Sequence, residues 1–187
     1  MSAQHMRFQS GTSLVEVLVT MVILSIGLIA LVVLHGRLHL LQMESYQRSQ
    51  ALILLNDMAS RITLNRYDVD NYLTLGAPLG IGQACPVGLA TRQQADVSEW
   101  CAALQGAAET LGANQVGAMV GGRGCVEDIG GGEYLVTVAW QGQAPVSAPP
   151  ASVTCGEGAF DGPAGTPCQN DLCRRVVTTV VRIATLT

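Results

Sequence analysis

Six cysteines, three histidines and a few carboxylate pairs are the side chains from which this 187-residue sequence could build chemistry. The histidines are His5, His35 and His39, so the later part of the chain has no imidazole base and no His-rich metal site. All ten cations are arginine, which excludes lysine Schiff-base chemistry and the lysine of a phosphate-binding loop. Asp96 and Glu99 are near neighbours, as are Glu127 and Asp128; such pairs are common on surfaces and receive no catalytic role. The glycines at 121, 122, 124 and 130–132 precede a strand pattern and lack a following helix, lysine and hydroxyl, so they read as turns. His35 and His39 share a helix face but have no further ligand in view, and they read as interfacial residues rather than a metal site. Arg174 and Arg175 read as a solvated basic pair, Trp100 beside Cys101 as core packing against a disulfide, and Trp140 as either core or contact. Nothing here supports an enzyme, a cofactor or a metal.

The cysteines are Cys85, Cys101, Cys125, Cys155, Cys168 and Cys173. An even number, all in the later part of the chain, predicts three disulfides in an oxidising compartment. Zinc is the alternative for the C-x4-C spacing of Cys168 and Cys173, but no C-x2-C pair or nearby histidine completes it. Six cysteines allow about 15 pairings. Cys155–Cys168 ranks first because it closes one Gly/Pro-rich loop, followed by Cys85 with Cys101 or Cys125.

These residues need elements to hold them. Hydrophobic residues make up 49% of the sequence, aromatics only 4%, and the mean hydropathy of +0.34 is unevenly spread. Leu14 to Leu34 is almost wholly apolar, interrupted by Glu16, Thr20, Ser25 and Gly27. As a helix that stretch rises about 30 Å, enough to cross a bilayer core. Helical signals run from Thr12 to Asn65 without proline, a length of about 80 Å if continuous. Beyond the apolar run Leu38, Leu41, Leu52, Leu55, Ala59 and Ile62 form a stripe, whose later members are expected to pack on a sheet. A Gly/Pro-marked loop follows, then a short helix from Asp96 to Leu111 capped by Ser98 or Asp96. Strands are expected at Tyr134–Trp140 and from Arg174 to Leu186, with a third near Ala118–Asp128. The fold class is α+β: a long N-terminal helix and a small, disulfide-stapled head with an antiparallel sheet. The net charge of −4 argues against a general nucleic-acid-binding surface.

One motif stands at the start of the apolar run. Gly11 directly precedes it and Glu16 lies five residues further on. A carboxylate in an apolar helix costs about 2.5 to 3.5 kcal/mol at mid-membrane, and less near the end of the span. Glu16 either reaches the headgroups or finds a cation. Cleavage after Gly11 would supply one, the new α-amino group of Thr12, on the same or a neighbouring subunit.

GTSLVEVLVTMVILSIGLIAL resembles the class III signal and N-terminal helix of type IV pilins and their relatives. The resemblance implies that a prepilin peptidase cuts after Gly11 and methylates Thr12, and that Glu16 guides assembly. Thr12 stands where the family usually has phenylalanine. A start at Met6 in place of Met1 would leave MRFQSG as a short leader.

Among pilin-like proteins the segment is most similar to the PilV-type minor pilins. MVGGRGCVEDIGGGEYLVTVAWQG and CRRVVTTVVRI fit their outline of a glycine pair, a strand ending in tryptophan, a Cys-containing loop and a last strand, with Val120 in place of proline. The implied organisation is a leader over 1–11, an apolar membrane and assembly half of the helix over 12–37, an amphipathic half over 38–65 and a periplasmic head over 66–187. The implied function is a non-catalytic minor pilin that initiates, primes or tips a type IV pilus. Its expected partners are other minor pilins, the major pilin, the prepilin peptidase and the inner membrane, with no nucleic acid. The precursor is expected to cross the inner membrane once and later enter the pilus. A minor pseudopilin of type II secretion is the alternative, and a signal-anchored periplasmic binding protein, which needs neither Gly11 nor Glu16, is a more distant one.

Overall fold

The computed structural model of the chain describes residues 13–107, 110–112, 114, 115, 117 and 119–184. With no proline to interrupt it, Leu14–Leu64 forms one α-helix, α1, of 51 residues. The described chain divides between Gln42 and Met43 into two compact units.

The unit that starts at Met43 holds the sheet. Its first layer is the later part of α1, where Ala51, Leu55, Met58 and Ile62 are buried at helical spacing. Leu52, expected on that stripe, is 41% exposed. The buried line runs through Ala51, and Leu52 is turned about 100° away from it. A 3-10 segment, Arg66–Tyr72, follows and contributes Val69 and Tyr72 to the core.

The second helix, α2, spans Arg92–Leu104, earlier than expected. Its cap is Thr91, whose hydroxyl accepts a hydrogen bond from the Gln94 backbone N–H at 3.2 Å. The Gln94 side chain reaches back to the Ala90 N–H at 3.1 Å, closely related to a capping box. The Thr-x-x-Gln signal was present in the sequence at Thr91–Gln94, and placing the cap at Ser98 or Asp96 overlooked it. The helix stops short of Leu111 because Gly106 takes the left-handed conformation that ends helices.

Six strands are described: β1 (Leu79–Gly80), β2 (Thr110–Leu111), β3 (Asn114–Gln115), β4 (Arg123–Gly130), β5 (Glu133–Gln141) and β6 (Arg174–Arg182). An antiparallel sheet has the order β1-β4-β5-β6, and β2 pairs with β3 apart from it. Gly130, Gly131 and Gly132 all have positive φ, which suits the tight β4–β5 connection. Tyr134, Val136, Val138 and Trp140 alternate onto the face that shares a core with α1 and α2. Trp140 is therefore core. The opposite face carries Cys125 and Ala139, covered by Cys155 and Phe160 from the long loop after β5.

Gly124 shows why the helices and sheet approach so closely. A Cβ there would overlap the Trp100 ring, so the bare backbone lets the indole lie on β4. The Trp100 indole N–H also donates to the Leu54 carbonyl of α1 at 2.9 Å. One side chain thereby joins both helices and the sheet.

Charged groups fasten the same junction. Arg61 donates to Asp57 at 3.0 Å, to Asp96 at 2.9 Å and to Glu99 at 2.7 Å. The Tyr72 hydroxyl donates to the other Asp96 oxygen at 2.7 Å, and Asn65 donates to Tyr72 at 3.1 Å. Burial opposes the Arg61 charge, but its bonds to Glu99, Asp57 and Asp96 outweigh it and raise the guanidinium pKa. Burial, followed by the bond to Asp96, pushes the Tyr72 hydroxyl up to about 12. Asp96, read as half of a surface pair, is instead buried, because α2 presents it to Arg61 of α1.

The arginines at the start of β6 are likewise not a solvated pair. Arg174 is 3% exposed, donating to the Val153 and Cys155 carbonyls and pairing with Asp171. Arg175 donates to Glu44 at 2.7 Å, tying the chain just after Met43 to β6.

Three disulfides staple this unit: Cys85–Cys101, Cys125–Cys155 and Cys168–Cys173. The expected Cys155–Cys168 bond is not formed. Loop length measured only closure entropy, whereas Cys125 sits on the sheet face over which the later loop folds. Closure separations of 30, 16 and 5 residues give about 3.6, 3 and 2 kcal/mol in the chain-entropy account. Removing the bonds one pair at a time as Cys→Ser doubles should lower urea midpoints most for Cys125/Cys155 and least for Cys168/Cys173. The reverse order would show that native-state contacts, not chain closure, set their value.

Candidate functional site

The unit before Met43 contains the first part of α1. Ser13 opens it, its carbonyl accepting from the Glu16 N–H at 2.9 Å and from the Val17 N–H at 3.3 Å. Glu16 thus lies in the first helical turn, where the positive end of the helix dipole favours a carboxylate. Its side chain is exposed.

From Leu14 to Leu34 the large apolar side chains are exposed, with Leu14 at 81% and Val32 at 72%. A Leu at such a position leaves most of its hydrophobic stabilisation unrealised, about 1.5 to 3 kcal/mol for full burial. A run of them is a surface that needs a partner. By length and composition α1 can cross a membrane. Its interrupting hydroxyls are compatible with an apolar setting. Thr20 bonds back to the Val17 carbonyl at 2.9 Å and Ser25 to the Met21 carbonyl at 2.7 Å. Reading these residues only as interruptions missed that they satisfy themselves within the helix; their position three and four residues after a helical carbonyl was the available signal.

At Gly27 and Gly36 an added Cβ would, apart from its chain neighbours and the backbone of its own helical turns, meet no atom of the described residues within 4 Å. After Leu34 polar side chains enter the helix at His35, Arg37 and His39, while Leu38, Leu40 and Leu41 among and beyond them are also exposed. The rings of His35 and His39 share a hydrogen bond between their Nε2 atoms at 3.1 Å, one ring donating to the other.

Of the residues singled out in the sequence, Gly11 and Thr12 lie outside the described residues. Glu16 occupies the start of the apolar helix, and the six cysteines all form disulfides in the other unit. Among the described residues, Glu16 is flanked along the helix by Leu14, Val15, Val17 and Leu18, all apolar and exposed. What this arrangement can do is place one carboxylate at the edge of a large apolar helix surface.

Two comparisons with known proteins return nothing: no curated protein and no solved structure matches the chain. The family described as the prokaryotic N-terminal methylation motif does match, over residues 6–32, so the segment containing Gly11, Thr12, Glu16 and the first part of α1 is similar to that motif.

Proposed function

We propose that this protein is a non-catalytic minor pilin of the PilV kind, which takes part in initiating, priming or tipping a type IV pilus. The observation that carries the reading is the exposed apolar surface of α1 opening on Glu16, five residues after Gly11. The methylation-motif match over the same residues supports it.

In this reading residues 1–11 are a leader that the prepilin peptidase removes, leaving Thr12 as the methylated N-terminus. Glycine at 11 allows the close backbone passage that a narrow peptidase cleft demands. Residues 12–37 anchor the precursor in the inner membrane with its head in the periplasm. The same residues later bury their apolar surface among the helices of other minor pilins and the major pilin. The carboxylate of Glu16 meets the Thr12 amine of a neighbour, and each charge neutralises the other within the apolar layer. Residues 38–65 are the amphipathic half of the helix, and residues 66–187 are the periplasmic head that it supports.

A protein beginning at Met43 tests this division. It should be soluble, with three disulfides formed and a cooperative unfolding transition, and it should be absent from pili. Entry of this truncated protein into pili, or aggregation with free thiols, would contradict the division.

A further inference from the structure

The histidine pair on α1, which the sequence alone leaves without a third ligand, is assigned no partner of its own in the proposed assembly. His35 and His39 are one helical turn apart, both exposed, with their Nε2 atoms separated by 3.1 Å. A divalent transition ion bound to imidazole at about 2.0 to 2.1 Å spans such a separation with an angle near 98° at the metal. That angle lies between the octahedral and tetrahedral values. The rings are nearly perpendicular, at 81°, with centroids 4.5 Å apart. The pair follows Leu34, about 30 Å of helix beyond Leu14, and Leu38, Leu40 and Leu41 beside it are exposed as well. Both rings are exposed on the described helix, where a dissolved ion can reach them.

We propose that His35 and His39 chelate an imidazole-preferring divalent transition ion, of the class of Zn2+ or Cu2+, through their Nε2 atoms. Both rings bind in the neutral form with the proton on Nδ1, each offering its Nε2 lone pair: the ring that donates in the Nε2···Nε2 hydrogen bond exchanges that proton with water for one on Nδ1, and no electron is transferred. The remaining coordination positions are open, because no group of three or more His, Cys, Asp or Glu that could hold a metal occurs among the described residues. Water completes the shell in an isolated chain. Competing ligands are few: all six cysteines are disulfide-bonded and His5 is the only other histidine.

The test uses the full chain, without a histidine tag, in detergent micelles and in a His5→Ala background. Calorimetric titration with ZnCl2 should give one ion per chain. Cu2+ should bind more tightly, with an electron paramagnetic resonance spectrum showing two equivalent-type nitrogen ligands. His35→Ala and His39→Ala should each weaken binding at least about tenfold, the scale on which even outer-shell partners of metal ligands act. The double variant Arg37→His/His39→Ala keeps two histidines but places the second around the helix, and it should bind as weakly as the single variants. All these side chains are exposed, and helicity by circular dichroism confirms that folding is intact. Absence of binding in the His5→Ala chain overturns the proposal. So does unchanged affinity in either single variant or in the relocated pair.

Discussion

A Glu16→Ala chain is expected to fold its head normally and to be nearly lost from assembled pili. In the proposed assembly the substitution leaves the Thr12 amine of a neighbour unpaired in an apolar layer. Breaking a buried ion pair from one side costs about 3 to 5 kcal/mol. Tenfold in an equilibrium constant corresponds to about 1.4 kcal/mol, so incorporation should fall by more than about a hundredfold. Immunoblots of sheared pili and membrane fractions measure this directly, with the membrane pool retained and the pilus pool depleted. Glu16→Asp, which keeps the charge on a shorter arm, should restore part of the signal. Normal incorporation of Glu16→Ala would remove the amine-pairing account.

Arg61→Ala should produce the largest loss of stability in the head. Arg61 is the shared cation of Asp57, Asp96 and Glu99, and the Asp96 side chain is only 2% exposed. Without it, Asp96 retains the Tyr72 hydroxyl and the Arg92 guanidinium, whose side chain is 74% exposed. The expected cost is about 3 to 5 kcal/mol, a large share of the 5 to 15 kcal/mol typical of a domain. Urea unfolding of the protein beginning at Met43 provides the measurement. Removing both charges, as Arg61→Met/Asp96→Leu, should recover much of the loss, because neither partner is then left buried alone. A double variant no better than Arg61→Ala would mean that the network acts through shape rather than charge.

These two residues differ in how far the sequence disclosed them. Glu16 was conspicuous because an acid among aliphatic residues violates the local pattern, and its distance from Gly11 added a second signal. Arg61 and Asp96 carry no such mark. Each sits in an ordinary amphipathic helix, and their importance arises only when α1 and α2 pack with those faces together. The α+β architecture followed from periodicity: β-branched runs gave β5 and β6, and the proline-free stretch gave α1. The two-residue β1 lay in a Gly/Pro-rich stretch too short for any alternation to register. The pairing of Cys125 with Cys155 depended on which face of β4 the Cys125 side chain leaves by and on the loop after β5 folding over that face, so it required the sheet register. Arg174 and Arg175 looked solvated because their acceptors, the Val153, Cys155 and Ala144 carbonyls and Glu44, come from loop and helix segments remote in sequence.

The reading of the whole chain rests on its processing, and the N-terminus of the mature protein is the most direct check. Intact-mass spectrometry combined with N-terminal sequencing of protein from the membrane should give a chain that begins at Thr12, carries one methyl group there and contains three disulfides. A Gly11→Val chain should retain its leader, since a branched side chain blocks the backbone approach to the peptidase. A mature chain that begins at any other residue, keeps residues 1–11 in the parent protein, or is processed fully with valine at position 11 would contradict the account.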